Sequence, residues 1–137
     1  IEGVIDISLS PSETRLACGN KDKLIFIFEL GEKMKVERSF SAHNDSVVSV
    51  QWHQYKSLLV SCSLDETVKL WDVRSQELVC WSKDHKDAVN KCMFSPDGNT
   101  YFSMSKDKFI YEYDLRMKGV LTRFLMEEEP KDMHVSD

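Results

Sequence analysis

One ten-residue pattern occurs three times in the chain, and it constrains the fold more than any other feature. Leu64-Asp65-Glu66-Thr67-Val68-Lys69-Leu70-Trp71-Asp72-Val73 recurs as Lys106-Asp107-Lys108-Phe109-Ile110-Tyr111-Glu112-Tyr113-Asp114-Leu115, and earlier as Lys21-Asp22-Lys23-Leu24-Ile25-Phe26-Ile27-Phe28-Glu29-Leu30. Asp22, Asp65 and Asp107 are 43 and 42 residues apart, and His43 and His85 are again 42 apart. A fixed period of this size means one supersecondary unit is stacked on itself, because a single unit cannot bury its own apolar faces. The 137 residues hold three copies.

Each copy divides into short apolar and β-branched runs bounded by turn residues, which predicts strands. The second copy gives strands at 47–53, 58–63, 67–72 and 78–83, and the third at 88–95, 100–105, 109–114 and 120–125. In the third copy a Ser95-Pro96-Asp97-Gly98 turn joins the first two strands. The first copy gives 4–9, 15–19, 24–29 and 34–40, with Ser10-Pro11-Ser12 at the equivalent turn. No segment has helical period, so the class is all-β with four strands per repeat.

His43, Ser61, Asp65 and the Trp71-Asp72 pair resemble the signature of the WD-repeat β-propeller family, and the similarity runs from about Val4 to about Met126. The resemblance implies a ring of four-stranded blades, most often about seven, needing roughly 290 residues. On that reading residues 1–42 are a blade lacking the His and Trp of the motif, 43–84 a blade with the full motif, and 85–126 a blade with Tyr for Trp. Residues 127–137 are an acidic connection to a further blade, Met133-His134-Val135 starting its first strand, or an acidic tail. Three blades cannot close a circle, so the segment is read as part of a longer chain, with a ring completed by another chain or by self-assembly as alternatives.

Composition sets the remaining bounds. The hydrophobic content of 42% is too high for disorder, and no apolar run is long enough for a membrane span. The net charge is −5, with five acids against one lysine in the last twelve residues, so no basic field argues for nucleic acid. Cys18, Cys62, Cys80 and Cys92 are too sparse for a disulfide framework and contain no C-x-x-C pair, which predicts free thiols, an intracellular location (cytoplasm or nucleus), and no metal. The N-terminal residues carry no signal-peptide pattern.

His43, Ser61 and Asp65 suggest a catalytic triad, yet the same types return as His85, Ser103 and Asp107, followed by Tyr113 where the other copy has Trp71. A catalytic constellation is needed once, whereas a staple recurs with the repeat. The family resemblance implies a structural chain of hydrogen bonds from indole to hydroxyl to imidazole to carboxylate. Tyr113 is expected to give a weaker or water-bridged version, and the first copy, with Cys18 and Phe28 at those positions, none. The second blade is therefore expected to be the most rigid.

The His loops and Asp turns must share one rim, which the resemblance makes the usual partner-binding face. Candidate partner contacts there are Lys21, Lys23, Asn44, Leu64, Lys86, Lys106 and Lys108. Leu64 stands out as an apolar residue at a turn tip, readable as an anchor or as an isolated surface residue. The lysines are read as pairing with Asp22, Asp87 and Asp107 on their own loops, with an acidic peptide or phospho-group as a further possible ligand. On the opposite rim, Trp71-Asp72-Val73-Arg74 and Tyr113-Asp114-Leu115-Arg116 are similar to the Trp-Asp-x-Arg box of substrate receptors for cullin-RING ubiquitin ligases. The plain alternative is that Arg74 and Arg116 pair with Asp72 and Asp114. Trp52, Trp71 and Trp81 are read as core, and His53 as having no partner at metal-ligand spacing.

No glycine-rich phosphate loop, unique nucleophile or metal cluster is present in the sequence, and the innermost strands carry a single acid, Asp6. The expectation is a non-catalytic protein-protein interaction scaffold without cofactors, whose partners are other proteins or peptides and the remainder of the propeller. The alternative is a ubiquitin-ligase substrate receptor docking through Arg74 and Arg116. Catalysis in a propeller channel is the weakest reading.

Overall fold

Short apolar runs alternate with turns that favour tight reversal, so the chain folds into hairpins. A computed structural model describes residues 3–117 and 119–126. The strands are β1 (Val4–Leu9), β2 (Arg15–Asn20), β3 (Leu24–Glu29), β4 (Lys35–Ser41), β5 (Val47–Trp52), β6 (Leu58–Ser63), β7 (Val68–Asp72), β8 (Glu77–Ser82), β9 (Val89–Phe94), β10 (Thr100–Ser105), β11 (Phe109–Asp114) and β12 (Val120–Leu125). They form three antiparallel meanders, β1 to β4, β5 to β8 and β9 to β12, each in sequence order. The expected strands are thus present with ends shifted by at most one residue. The expectations for 127–137 lie outside the described residues.

Each sheet repeats the same two irregularities. The first pairs with the second strand through a bulge at Val4/Asp6, at Val47/Ser49 and opposite Met104/Ser105. The third pairs with the fourth through a bulge at Ile27/Phe28, Leu70/Trp71 and Glu112/Tyr113. A bulge adds right-handed twist locally, so repeating it at fixed positions gives the three sheets the same twist and lets them stack.

The core consists of two layers between sheets rather than one centre. Ala17, Ile25 and Ile27 of the first sheet pack on Val47, Val50, Trp52 and Leu59 of the second. Val60, Cys62, Val68 and Leu70 of the second pack on Val89, Cys92, Phe94, Tyr101, Tyr111 and Tyr113 of the third. The first strands of the sheets lie side by side, β1 against β5 and β5 against β9. At the two ends of the stack no described residue covers Ile5, Ile7 and Leu9 on β1, 46–56% exposed, or Phe124 and Leu125 on β12, 46% and 70% exposed.

Polar side chains cross between the side-by-side strands. Asp6 Oδ2 accepts from the Val50 amide at 3.0 Å and Ser8 Oγ from the Trp52 amide at 3.1 Å. One repeat later Ser49 Oγ accepts from the Cys92 amide at 3.3 Å and Gln51 Oε1 from the Phe94 amide at 2.5 Å. His53, a single residue beyond β5, is buried and joins the same two sheets: its Nε2–H donates to the Gly98 carbonyl at 2.8 Å, while Nδ1 accepts from the Tyr55 and Lys56 amides at 3.0 Å each.

Gly98 closes the β9–β10 turn at φ +76, with a Cβ built there only 2.7 Å from His53 Cε1 and Nε2. Gly98→Ala therefore forces a left-handed Ala and displaces the His53 pin. A loss of about 2 kcal/mol or more is expected by chemical denaturation, against an Ala cost of about 1 kcal/mol where the turn alone matters.

Candidate interaction rims

The loops of one rim are held by a buried polar chain that starts on a strand. Trp71 on β7 donates its indole N–H to Ser61 Oγ on β6 at 2.9 Å, and Ser61 Oγ lies 2.8 Å from His43 Nε2. His43 Nδ1 lies 2.8 Å from Thr67 Oγ1 and 3.2 Å from Asp65 Oδ2. An indole only donates and an ionised carboxylate only accepts, which fixes the direction: the Ser61 hydroxyl donates its hydrogen bond to Nε2, and His43 carries its proton on Nδ1. Asp65 also accepts from the Asn44 and Thr67 amides at 2.8 and 2.9 Å. The His43 loop and the Asp65 turn therefore share a rim.

The third sheet repeats the lower half of the chain. His85 Nε2 lies 2.6 Å from Ser103 Oγ and Nδ1 lies 2.9 Å from Asp107 Oδ2, which also accepts from the Lys86 amide at 2.9 Å. Its upper half is missing. Among the described residues the buried Tyr113 hydroxyl has no partner at hydrogen-bond length, nor has the neighbouring Ser82 hydroxyl, although Tyr113 stacks on Tyr101 at 4.9 Å. Burial pushes the Tyr113 phenol up to about 12. In the first sheet Cys18 and Phe28 make no such chain, and Asn20 Oδ1 instead accepts from the Asp22 and Leu24 amides at 3.0 Å each.

Burial lowers both imidazoles below their ordinary value of 6.5, against the pull of Asp65 and Asp107. Burial alone would raise the two carboxyls, but it is outweighed. Bonds from His43, Thr67 and the Asn44 amide hold Asp65 well below the carboxylate range, and the Lys86 and Phe109 amides with His85 hold Asp107 below it. Ser61 and Ser103 are both 0% exposed, so neither hydroxyl can meet a substrate.

The candidate partner contacts all reach this rim. Lys21, Lys23, Asn44, Lys86, Lys106 and Lys108 are exposed, and Leu64 is 39% exposed at its turn tip. Lys23, Glu66 and Lys108 occupy one equivalent turn position at φ 77, 74 and 73, so all three turns present a long side chain on strained backbone. The expected pairing of the lysines with acids of their own loops is corrected: among the described residues none of them forms an ion pair. Asp107 turns inward to imidazole and amide donors, which satisfy a carboxylate better than an exposed ammonium does.

The opposite rim needs a similar correction. Asp72 Oδ1 accepts from the Arg74 and Ser75 amides at 3.1 and 3.2 Å, and Asp114 Oδ1 from the Arg116 and Met117 amides at 2.8 Å each. The aspartates thus close the β7–β8 and β11–β12 loops, leaving the exposed Arg74 and Arg116 guanidinium groups without an ion pair among the described residues. Trp81, expected in the core, is 60% exposed on β8.

Sequence reasoning missed Thr67, Lys69 and Tyr111. Lys69 Nζ donates to the Ala42 carbonyl at 2.6 Å and the Tyr111 hydroxyl to the Asp84 carbonyl at 3.2 Å, so each ties a third strand to the residue before the histidine. The repeat placed Lys69 and Tyr111 at one equivalent position, but their unlike chemistry hid the common role. Among the described residues no His, Cys, Asp and Glu group is arranged to hold a metal, and no helix is long and apolar enough to cross a membrane.

Ser61→Ala strands both the Trp71 indole and His43 Nε2, whereas Ser103→Ala strands only His85 Nε2. The first is expected to cost about 2–3 kcal/mol and the second about 1–2, while Tyr113→Phe, which removes an unpartnered hydroxyl, is neutral or stabilising. Urea midpoints of the three variants check the order. The unfolded chain protonates its histidines at higher pH than the folded one, so the imidazole contribution is complete above 6.5 and is lost as pH falls through 6.5 toward the lowered folded values. The two carboxyls add a further loss at lower pH, in the same sense. The melting temperature is expected to drop between about pH 8 and about pH 5, less so in His85→Asn; a flat profile contradicts this.

Comparison with known proteins agrees with this geometry. The family described as "WD domain, G-beta repeat" matches residues 34–72 and 76–114, more than half of the chain. Each match takes the last strand of one sheet and the first three of the next, so the sequence repeat is offset by one strand from the sheet. Pre-mRNA-processing factor 19 of Bos taurus is 27% identical over 124 residues, covering 90% of this chain and 24% of the relative. Denticleless protein homolog B of Xenopus laevis is 31% identical over 105 residues, 74% of this chain and 15% of the relative. WD repeat and SOCS box-containing protein 1 of Danio rerio is 29% identical over 127 residues, 86% and 28%. The chain thus spans less than a third of the length of these relatives. With three four-stranded sheets as partial propeller blades, and the motif residues bonded as described, the chain belongs to the WD-repeat family.

Proposed function

We propose that the chain is a non-catalytic protein-protein interaction scaffold of an intracellular assembly, presenting propeller loops to other proteins or peptides. One observation carries this reading: the side chains able to do chemistry are buried, bonded and repeated, whereas the exposed residues are loop tips on rigid supports. Four free cysteines support an intracellular location. The uncovered end sheets support a remainder of the propeller, in the same chain or another.

A second reading is favoured by Arg74 and Arg116. They occupy equivalent loops of consecutive sheets, exposed and without an ion pair among the described residues, in sequences similar to the Trp-Asp-x-Arg box. A relative whose name carries a SOCS box supports the same direction. On this reading the chain is a substrate receptor that docks on a cullin-RING ligase through these arginines.

Affinity purification of the full chain, with and without Arg74→Ala plus Arg116→Ala, separates the two. For the scaffold, partners co-purify and survive the double substitution. Loss of cullin-ligase subunits from the double variant, with cooperative unfolding retained, makes the receptor reading correct. A full chain that retains no protein partner overturns both.

A further inference from the structure

Where the loop joining β8 to β9 meets β11 and β12 of the third sheet lies a groove of about 440 Å³ whose lining includes Lys83, Asp84, Lys86, Tyr111, Thr122 and Arg123. Its floor is built. Tyr111 stacks on His85 at 4.3 Å and its hydroxyl is anchored on the Asp84 carbonyl, while Arg123, paired with Tyr111 across β11 and β12, lies over the Phe109 ring at 5.2 Å. The wall holding Lys83 and Lys86 is fixed by the His85 and Lys86 bonds to Asp107. The three cations form no ion pair among the described residues.

The repeat supplies an internal control. At the junction of the first and second sheets the equivalent positions are Ser41 for Lys83, Asn44 for Lys86, Lys69 for Tyr111 and Trp81 for Arg123. A single cation remains there, and its ammonium is engaged with the Ala42 carbonyl at 2.6 Å. The cationic groove is thus not part of what the blade needs in order to fold. It occurs at one junction of the two, so it is a feature of this position rather than of the repeat.

We propose that this groove binds a peptide segment carrying a phosphorylated serine or threonine. Three cations against Asp84 leave a charge near +2, which matches a phosphoryl group of about −1.5 to −2 better than one carboxylate. The volume exceeds what a phosphate alone fills, so neighbouring residues of the segment lie along Val120 and Thr122 at the open edge of β12. This rests on the interaction-scaffold reading and adds the chemistry of one partner.

The test uses the full chain on an array of nine-residue peptides bearing one phosphoserine or phosphothreonine, with unphosphorylated and glutamate counterparts, and measures retained peptides by fluorescence anisotropy. Phosphorylated peptides are expected to bind about tenfold or more tighter than their counterparts. Lys83→Gln plus Arg123→Gln should weaken them by a similar factor at unchanged melting temperature, while Lys35→Gln plus Lys56→Gln should not. Four outcomes overturn the proposal: no phosphopeptide retained, glutamate peptides binding equally well, equimolar inorganic phosphate displacing the peptide, or affinity indifferent to the Lys83 and Arg123 substitutions. If any of these occurs while protein partners still co-purify with the full chain, the groove fails and the scaffold reading stands.

Discussion

A four-stranded sheet with apolar side chains on both faces has to be covered on both sides, and the structure follows from that constraint. The covering is done by the next sheet, so the core is laid down in layers between repeats, Ile25 and Ile27 against Leu59, then Val68 and Leu70 against Tyr111 and Tyr113. Such layers stack only if successive sheets have the same twist. The bulges supply this, recurring at one position in each inner and each outer strand pair. Because the layers are separate, a defect in one repeat stays there: Tyr113 leaves its hydroxyl unpartnered while the Trp71 chain next door remains complete.

The buried polar chain converts sheet rigidity into loop rigidity. Trp71 and Ser61 sit on strands, His43 and Asp65 on the rim, and each bond transfers the order of one to the next. Its three side-chain types match a hydrolytic triad, but the physics differs. Ser61 has no exposed surface, and His43 is a neutral imidazole with both nitrogens committed in a site that disfavours its charge. What reaches solvent is the turn tip, where Lys23, Glu66 and Lys108 each sit at positive φ. At Glu66 and Lys108 the network beneath holds the turn, and at Lys23, where that network is absent, Asn20 Oδ1 holds it through the Asp22 and Leu24 amides.

Strand positions and the network were legible in the sequence because both recur with the repeat: apolar alternation marks the strands, and the 42-residue spacing of His43 and His85 marks the chain. Contacts that cross between repeats were not legible. Ser49 and Gln51 look like ordinary solvent-facing strand residues, and only the side-by-side packing of β5 and β9 turns them toward the Cys92 and Phe94 amides. His53 is similar, since its partner Gly98 lies 45 residues on. The arginine and lysine pairings failed for another reason. Proximity in sequence suggested ion pairs, but aspartates at loop starts bind backbone amides first, because a local amide costs less ordering entropy than a long side chain. Trp81 was misplaced because β8 is an outer strand, and its side chain lies beyond the edge of the layer.

The contacts between inner strands also have a direction, which makes the two ends of the stack unlike. In both junctions the earlier strand supplies side-chain acceptors and the later strand supplies amides: Asp6 and Ser8 to Val50 and Trp52, then Ser49 and Gln51 to Cys92 and Phe94. At the β1 end the positions equivalent to those amides are Ile7 and Leu9, flanked by exposed apolar side chains, so a strand carrying acceptors as β1 and β5 do would fit against it. At the β9 end the positions equivalent to Ser49 and Gln51 are Lys91 and Met93, an ammonium and a thioether. Neither can cap an amide as its counterparts do, since an ammonium has no lone pair and a thioether accepts only weakly. Among the described residues β9 thus carries no counterpart of the Ser49 and Gln51 acceptors, so its own side chains do not repeat the pattern of the two junctions. A strand set against β9 as β9 is set against β5 would meet an ammonium at the position where Asp6 and Ser49 offer a lone pair, so a carboxylate or a carbonyl suits that position and an amide does not.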